Sequence, residues 1–157
     1  MDIKELGPIG AELTNLDLTQ LSKEDIPHIR QSFLDYSVIV FRNQNLKPID
    51  LKNISRLWGE ALIHPVFKGI ENHPEIIEIR NYGEKYHTNA HWHSDVTFEE
   101  CPPDATLLYS LEVPEEGGDT LFSSQYLAYE DLDIDLKSSL SGKLAIHSNI
   151  GVLMLSG

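Results

Sequence analysis

Hydrophobic and polar positions follow two rhythms along this chain, and the switches between them mark the predicted elements. The opening segment, Ile3 to Leu18, scatters single apolar residues around Gly7-Pro8 and Gly10, the pattern of short strands and turns. Ser22-Lys23-Glu24-Asp25 has the composition of a helix start with Ser22 as N-cap. Ile26, Ile29 and Phe33 then recur at helical spacing and predict a core-facing stripe. Ser37-Val38-Ile39-Val40-Phe41 breaks that rhythm with a β-branched run of strand length, suited to burial on both faces. A second helix opens at Pro48, a residue compatible with a first turn. Leu51, Ile54, Leu57 and Trp58 form its apolar stripe, and Gly59 is a plausible stop.

Beyond Gly59 the helical rhythm fades. The loop His64-Pro65-Val66-Phe67 precedes a strand predicted over Glu75 to Arg80, and the polar stretch from Asn81 to Asn89 is expected to loop. Ala105 to Val113 has strand character, Glu115-Glu116-Gly117-Gly118-Asp119 is a turn, and Thr120 to Phe122 pairs back as a strand. Ser123 or Ser124 caps a helix reaching Leu132, a further helical piece covers Asp135 to Leu140, and Leu144 to His147 is strand-like. The last residues, Gly151 to Gly157, are apolar, unlike the solvated termini of most finished domains. With no repeat or linker in between, the pattern predicts one domain over residues 1–157, incomplete at its apolar end. Its fold class is a β-rich α+β architecture with flanking helices, for which a jelly roll is a candidate.

Composition narrows the function classes. The 157 residues are 41% hydrophobic and 24% charged, ordinary for a soluble chain with one core. Twelve basic against 25 acidic side chains give a formal charge of −13, which repels phosphate backbones and argues against nucleic acid as a partner. No apolar run approaches the roughly 18 residues of a membrane helix, and Met1 to Glu5 lacks the layout of a secretory signal. Cys101 is the single cysteine, so no internal disulfide forms, and a reducing cytoplasmic setting is expected.

The chemistry concentrates in His91-Trp92-His93-Ser94-Asp95. On a strand, His93 and Asp95 would point to the same side. An imidazole and a carboxylate placed together are two ligands for a divalent metal. With one further histidine they make a facial triad that leaves positions open for oxygen and substrate. Taken alone, His-x-Asp is also the composition of an ordinary polar strand end, and both readings stand at this point. Gly117-Gly118, Thr120 and His64 each have a structural reading as turn, strand and loop residues, while Trp92 and Phe98 suit core packing.

The wider string separates the alternatives. Trp92-His93-Ser94-Asp95-Val96-Thr97-Phe98, Cys101-Pro102-Pro103 and Gly117-Gly118-Asp119-Thr120-Leu121-Phe122 resemble the taurine dioxygenase family. So do Gly59-Glu60 with His64-Pro65 upstream, and Ala128-Tyr129-Glu130 with Leu140-Ser141-Gly142 downstream. The resemblance runs from about Gly7 to about Ser148. It implies a double-stranded β-helix (jelly roll), of which this chain would be the N-terminal half, enclosing iron(II). It also implies hydroxylation of a small organic acid such as a sulfonate, coupled to oxidative decarboxylation of 2-oxoglutarate by dioxygen. His93 and Asp95 match the first two iron ligands, and Thr120 matches a hydroxyl that binds 2-oxoglutarate. His64 and Asn89 match substrate-contacting positions. Phe67 stands where the taurine enzymes carry a tyrosine and His91 where an asparagine is common, departures that leave the substrate open.

The same resemblance implies two absences. His147 is the one histidine after Asp95, in a context unlike that of the family's distal ligand, and Arg80 is the last arginine, ahead of the metal motif. Two iron ligands without the third, and without the arginine that grips 2-oxoglutarate, predict little activity for this polypeptide by itself. A truncated jelly roll also exposes strand edges and apolar faces, which predicts a homo-oligomer. The alternative to an oxygenase is a non-catalytic oligomeric remnant of the same fold, with at most weak metal or small-acid binding.

Overall fold

A computed structural model provides the structure, which describes residues 1–80 and 91–150. Its β1 (Asp2–Glu5) and β2 (Ala11–Thr14) are antiparallel, with Asp2 opposite Thr14 and Glu5 opposite Ala11. The short β3 (Ile39–Val40) runs parallel to β2, with Ala11 opposite Ile39, so the sheet order is β1-β2-β3. The parallel pairing demands a crossover, and the amphipathic helix α1 (Asp25–Tyr36) supplies it. The Ala11 and Leu13 side chains of β2, Leu18 just after it, and Ile29 of α1 are buried, forming the apolar centre of this part of the chain. Ser32, also buried, satisfies its hydroxyl by donating to the His28 carbonyl at 2.9 Å.

Both ends of α1 differ by a few residues from the sequence expectation. The helix begins at Asp25 with Glu24 as N-cap. Ser22 and Asp25 nonetheless bond reciprocally, as in a capping box: the Ser22 hydroxyl and N–H donate to the Asp25 carboxylate at 2.7 and 2.8 Å, and Ser22 Oγ accepts from the Asp25 N–H at 3.2 Å. Asp25 is held below the usual carboxylate range chiefly by the Ser22 hydroxyl and then by the Ser22 backbone N–H. At the other end Ser37 adopts a left-handed conformation, φ 64°, and its N–H closes the helix on the Phe33 carbonyl. That cap consumes the start of the predicted strand 37–41, leaving two residues to pair.

The chain forms two compact units. The first joins Met1–Leu46 to Tyr109–Leu144. Within it the Tyr109 hydroxyl donates to the Gln44 carbonyl and accepts from the Leu46 N–H, both at 3.2 Å. The helices α3 (Gln125–Glu130) and α4 (Ile134–Leu140) also belong to it, N-capped by Ser124 and Asp133, whose side chains accept from Leu127 and Leu136.

The second unit joins Lys47–Leu108 to Ala145–Gly157. Its helix α2 (Pro48–Ser55) starts at Pro48 as the sequence predicts, with Ile54 buried, and the chain turns on to Gly59 at φ 132°. A tight loop follows, in which Ile70 donates to the Ile76 carbonyl at 2.8 Å and Asn72 takes φ 65°. Lys52 of α2 reaches this loop and pairs with Glu75 at 2.9 Å.

The strands predicted over 75–80, 105–113, 120–122 and 144–147 form no ladder among the described residues. The described residues therefore hold more helix than strand, and the β-rich expectation is corrected on this point. Side-chain alternation survives at Ala105, Thr106, Leu107 and Leu108, which are half-buried and exposed in turn. A ladder needs a partner remote in sequence as well as the right alternation. The predicted loop 81–89 and Asn89 lie outside the described residues. No helix among the described residues is long and apolar enough to cross a membrane.

Candidate metal centre

The segment around His93 makes no strand pairing and turns at Asp95–Phe98. Convergence of His93 and Asp95 thus arises from a turn, which corrects the strand expected there. Val96 sits at φ 52°, and Glu99 donates back to the Val96 carbonyl at 3.1 Å. For a β-branched residue this left-handed conformation costs on the order of 1–2 kcal/mol, so the turn is held by its surroundings.

The result is a close pair. His93 Nε2 lies 3.2 Å from Asp95 Oδ1, and both side chains are about half exposed. His93 Nδ1 lies 2.7 Å from the His91 carbonyl oxygen. A carbonyl can only accept, so Nδ1 carries a hydrogen and donates, which in the neutral ring leaves the lone pair on Nε2. That lone pair faces a carboxylate oxygen. Two acceptors at 3.2 Å repel, and a cation between them, either a proton or a metal ion, converts the repulsion into attraction. Two ligands each about 2.1 Å from one ion, at a right angle, would stand roughly 3.0 Å apart. The observed separation fits a shared divalent cation.

Two contacts not legible as site features in the sequence complete the surroundings. The Thr106 hydroxyl donates to Asp95 Oδ2 at 3.0 Å. His147 Nδ1 lies 2.9 Å from the Thr97 hydroxyl oxygen, bracing the turn across 50 residues. No cluster of three or more histidine, cysteine, aspartate or glutamate side chains able to hold a metal is present among the described residues.

The residues matched to substrate contacts are partly brought together. His64 Nδ1 accepts from the Val66 and Phe67 N–H groups at 3.1 and 3.0 Å, so its hydrogen resides on Nε2, which is left as a donor. The His64 and Phe67 rings pack with centroids 4.8 Å apart at 36°. His64, Phe67, His93 and Asp95 all belong to the second unit, whereas Thr120 lies in the first, exposed, just after Gly117 and Gly118. Those two glycines take φ 75° and 72°, the left-handed conformation that explains the Gly-Gly pair.

Comparison with known proteins places this arrangement in a class. The chain superposes on a putative alpha-ketoglutarate-dependent taurine dioxygenase from Burkholderia xenovorans with TM-score 0.78 at 35% identity, covering 90% of this chain and 51% of that one. A second taurine dioxygenase from the same organism matches with TM-score 0.77 at 36% identity, again covering 90% and 51%. Among curated relatives, an alkylsulfatase of Acinetobacter baylyi is 32% identical over 93% of this chain and 46% of its own length. An alpha-ketoglutarate-dependent sulfate ester dioxygenase of Pseudomonas putida is 30% identical over 91% and 48%. The fold of this chain is thus similar to about half of a solved taurine dioxygenase. A model of the taurine catabolism dioxygenase TauD, TfdA family matches residues 2–151, and the chain belongs to that family. It spans about half the length of the curated relatives it matches.

Proposed function

We propose that this chain contributes His93 and Asp95 as two iron(II) ligands to a 2-oxoglutarate-dependent dioxygenase that hydroxylates a small organic acid, a sulfonate or a sulfate ester. In this reading the 157 residues form part of one family domain, and Thr120 contacts 2-oxoglutarate. His64, Phe67 and Asn89 contact the substrate. The observation that carries it is the facing pair of His93 Nε2 and Asp95 Oδ1 at 3.2 Å with the other ring nitrogen committed to the His91 carbonyl.

Bound iron, with 2-oxoglutarate and dioxygen, supplies the oxidising chemistry. The chain's own residues do the positioning. The His91 carbonyl fixes which nitrogen of His93 is free to ligate, and Asp95 adds a negative charge beside it. The His64 Nε2–H, with Nδ1 occupied by two backbone donors, is set to donate to an anionic oxygen, and the Phe67 ring beside it provides an apolar wall. Sulfonates and sulfate esters, named for relatives of this chain, are such anions.

On this proposal His93 and Asp95 alone hold a divalent ion less tightly than three ligands would, and little activity is expected of them without a third. Anaerobic addition of iron(II) is expected to give modest binding that is lost in His93→Ala, with no strong visible charge-transfer band when 2-oxoglutarate follows. Iron binding unchanged in His93→Ala overturns the site; an intense band from the isolated chain overturns its two-ligand character.

A further inference from the structure

We infer that Thr106 is a positioning residue for the metal: its hydroxyl occupies Asp95 Oδ2 and thereby presents Oδ1 alone to the cation shared with His93. This rests on the reading of His93 and Asp95 as ligands and assigns a role to a residue outside that pair. Asp95 has two oxygens, and the structure gives them different partners: Oδ2 receives the Thr106 hydroxyl at 3.0 Å, while Oδ1 faces His93 Nε2 at 3.2 Å. A carboxylate free to rotate can offer a cation either oxygen or both. With one oxygen engaged it ligates through the other, and fewer coordination positions are spent on protein. That economy suits a centre that must also admit an oxo acid and oxygen.

The location of Thr106 supports the assignment. It stands eleven residues beyond Asp95 in the segment 105–110, exposed, while its neighbours Ala105 and Leu107 are half-buried. The apolar neighbours fix the segment, and the alternation turns the hydroxyl the other way, toward the carboxylate. The turn it meets is strained at Val96, so the side chain of Asp95 needs an external restraint to keep one orientation. A solvent-exposed hydrogen bond adds little to folding, which separates the two possible roles. A residue that only stabilised the fold would shift melting; a residue that orients a ligand shifts metal affinity.

The test uses the full chain and manganese(II) alone, read by paramagnetic broadening of the His93 ring signals in NMR, with exposed His28 as internal control. Partners that orient metal ligands typically account for ~10–100-fold in affinity. Thr106→Val is therefore expected to weaken manganese binding at His93 by about tenfold or more with an unchanged melting temperature, and Thr106→Ser to restore it. Binding in Thr106→Val equal to wild type, or a loss that Thr106→Ser does not repair, overturns the inference while leaving the His93–Asp95 site standing. Broadening at His93 no greater than at His28 in the wild-type chain overturns both, and Asp95→Asn distinguishes the cases by abolishing selective broadening only if Asp95 ligates.

Discussion

Glu75 is nearly excluded from solvent, its side chain 6% exposed, and its charge is carried by Lys52 of α2 at 2.9 Å with His73 Nδ1 at 3.5 Å. The Lys52 ammonium holds the Glu75 carboxyl below the usual glutamate value of 4.5, helped by a backbone N–H. A carboxylate whose folded pKa is depressed stabilises the fold above its unfolded pKa. It loses that contribution as pH falls through the folded value. Lys52→Met is accordingly expected to move the Glu75 titration upward, toward the ordinary glutamate range, when followed by carboxyl-carbon NMR. The same substitution lowers stability at neutral pH and costs progressively less in acid; a titration unmoved by it refutes the pairing. The residue scale is also where the sequence was most legible for the proposed site. His93 and Asp95 stand two positions apart and find each other through a single turn, so their neighbourhood is local. Thr106 and His147 join the same turn from 11 and 50 residues away, and nothing in their own surroundings announces it. Thr106 has the composition of any β-branched strand position until the fold brings it to the carboxylate.

At the scale of elements, Ser37 closes α1 with φ 64°, a conformation that costs a residue bearing a Cβ more than it costs glycine. Ser37→Gly is expected to stabilise the chain, because relief of roughly 1–2 kcal/mol of left-handed strain exceeds glycine's extra entropic cost of about 0.5–1 kcal/mol, read as a higher denaturation midpoint with an unchanged slope; a lower midpoint would show that the serine makes a compensating bond. Helix boundaries were legible where a side chain caps locally: Pro48 opens α2, and Ser124 caps α3. Ser22 caps in the same local way: its Oγ accepts from the Asp25 N–H at 3.2 Å while the Asp25 carboxylate accepts from Ser22, and the regular helix begins at Asp25. The strands were the least legible, because periodicity reports which face a residue prefers and is silent about where its ladder partner lies. Four predicted strands make no pairing among the described residues, and Val38 is drawn into backbone bonds with Tyr36 and Ala11 in place of a longer strand.

For the whole molecule, the described surface carries many large apolar side chains, among them Leu111, Val113, Leu121, Tyr126 and Ile134, with Leu144 and Ile146 each 96% exposed. Isolated chains with this much apolar surface seek cover. Sedimentation at micromolar concentration is expected to show self-association that weakens with dilution, and a clean monomer would refute it. The family itself was legible because its motif blocks are spread along the chain in order, from Gly59-Glu60 to Leu140-Ser141-Gly142, so many short agreements accumulate. The partition into two units was not, since each unit is assembled from stretches that are far apart in sequence. That interleaving has a kinetic consequence. Met1–Leu46 must wait for Tyr109–Leu144 until all of Lys47–Leu108 has left the ribosome, a delay of several seconds at roughly 5–20 residues per second. No single proteolytic cut releases either unit whole, and folding is committed to slow closure over long loops.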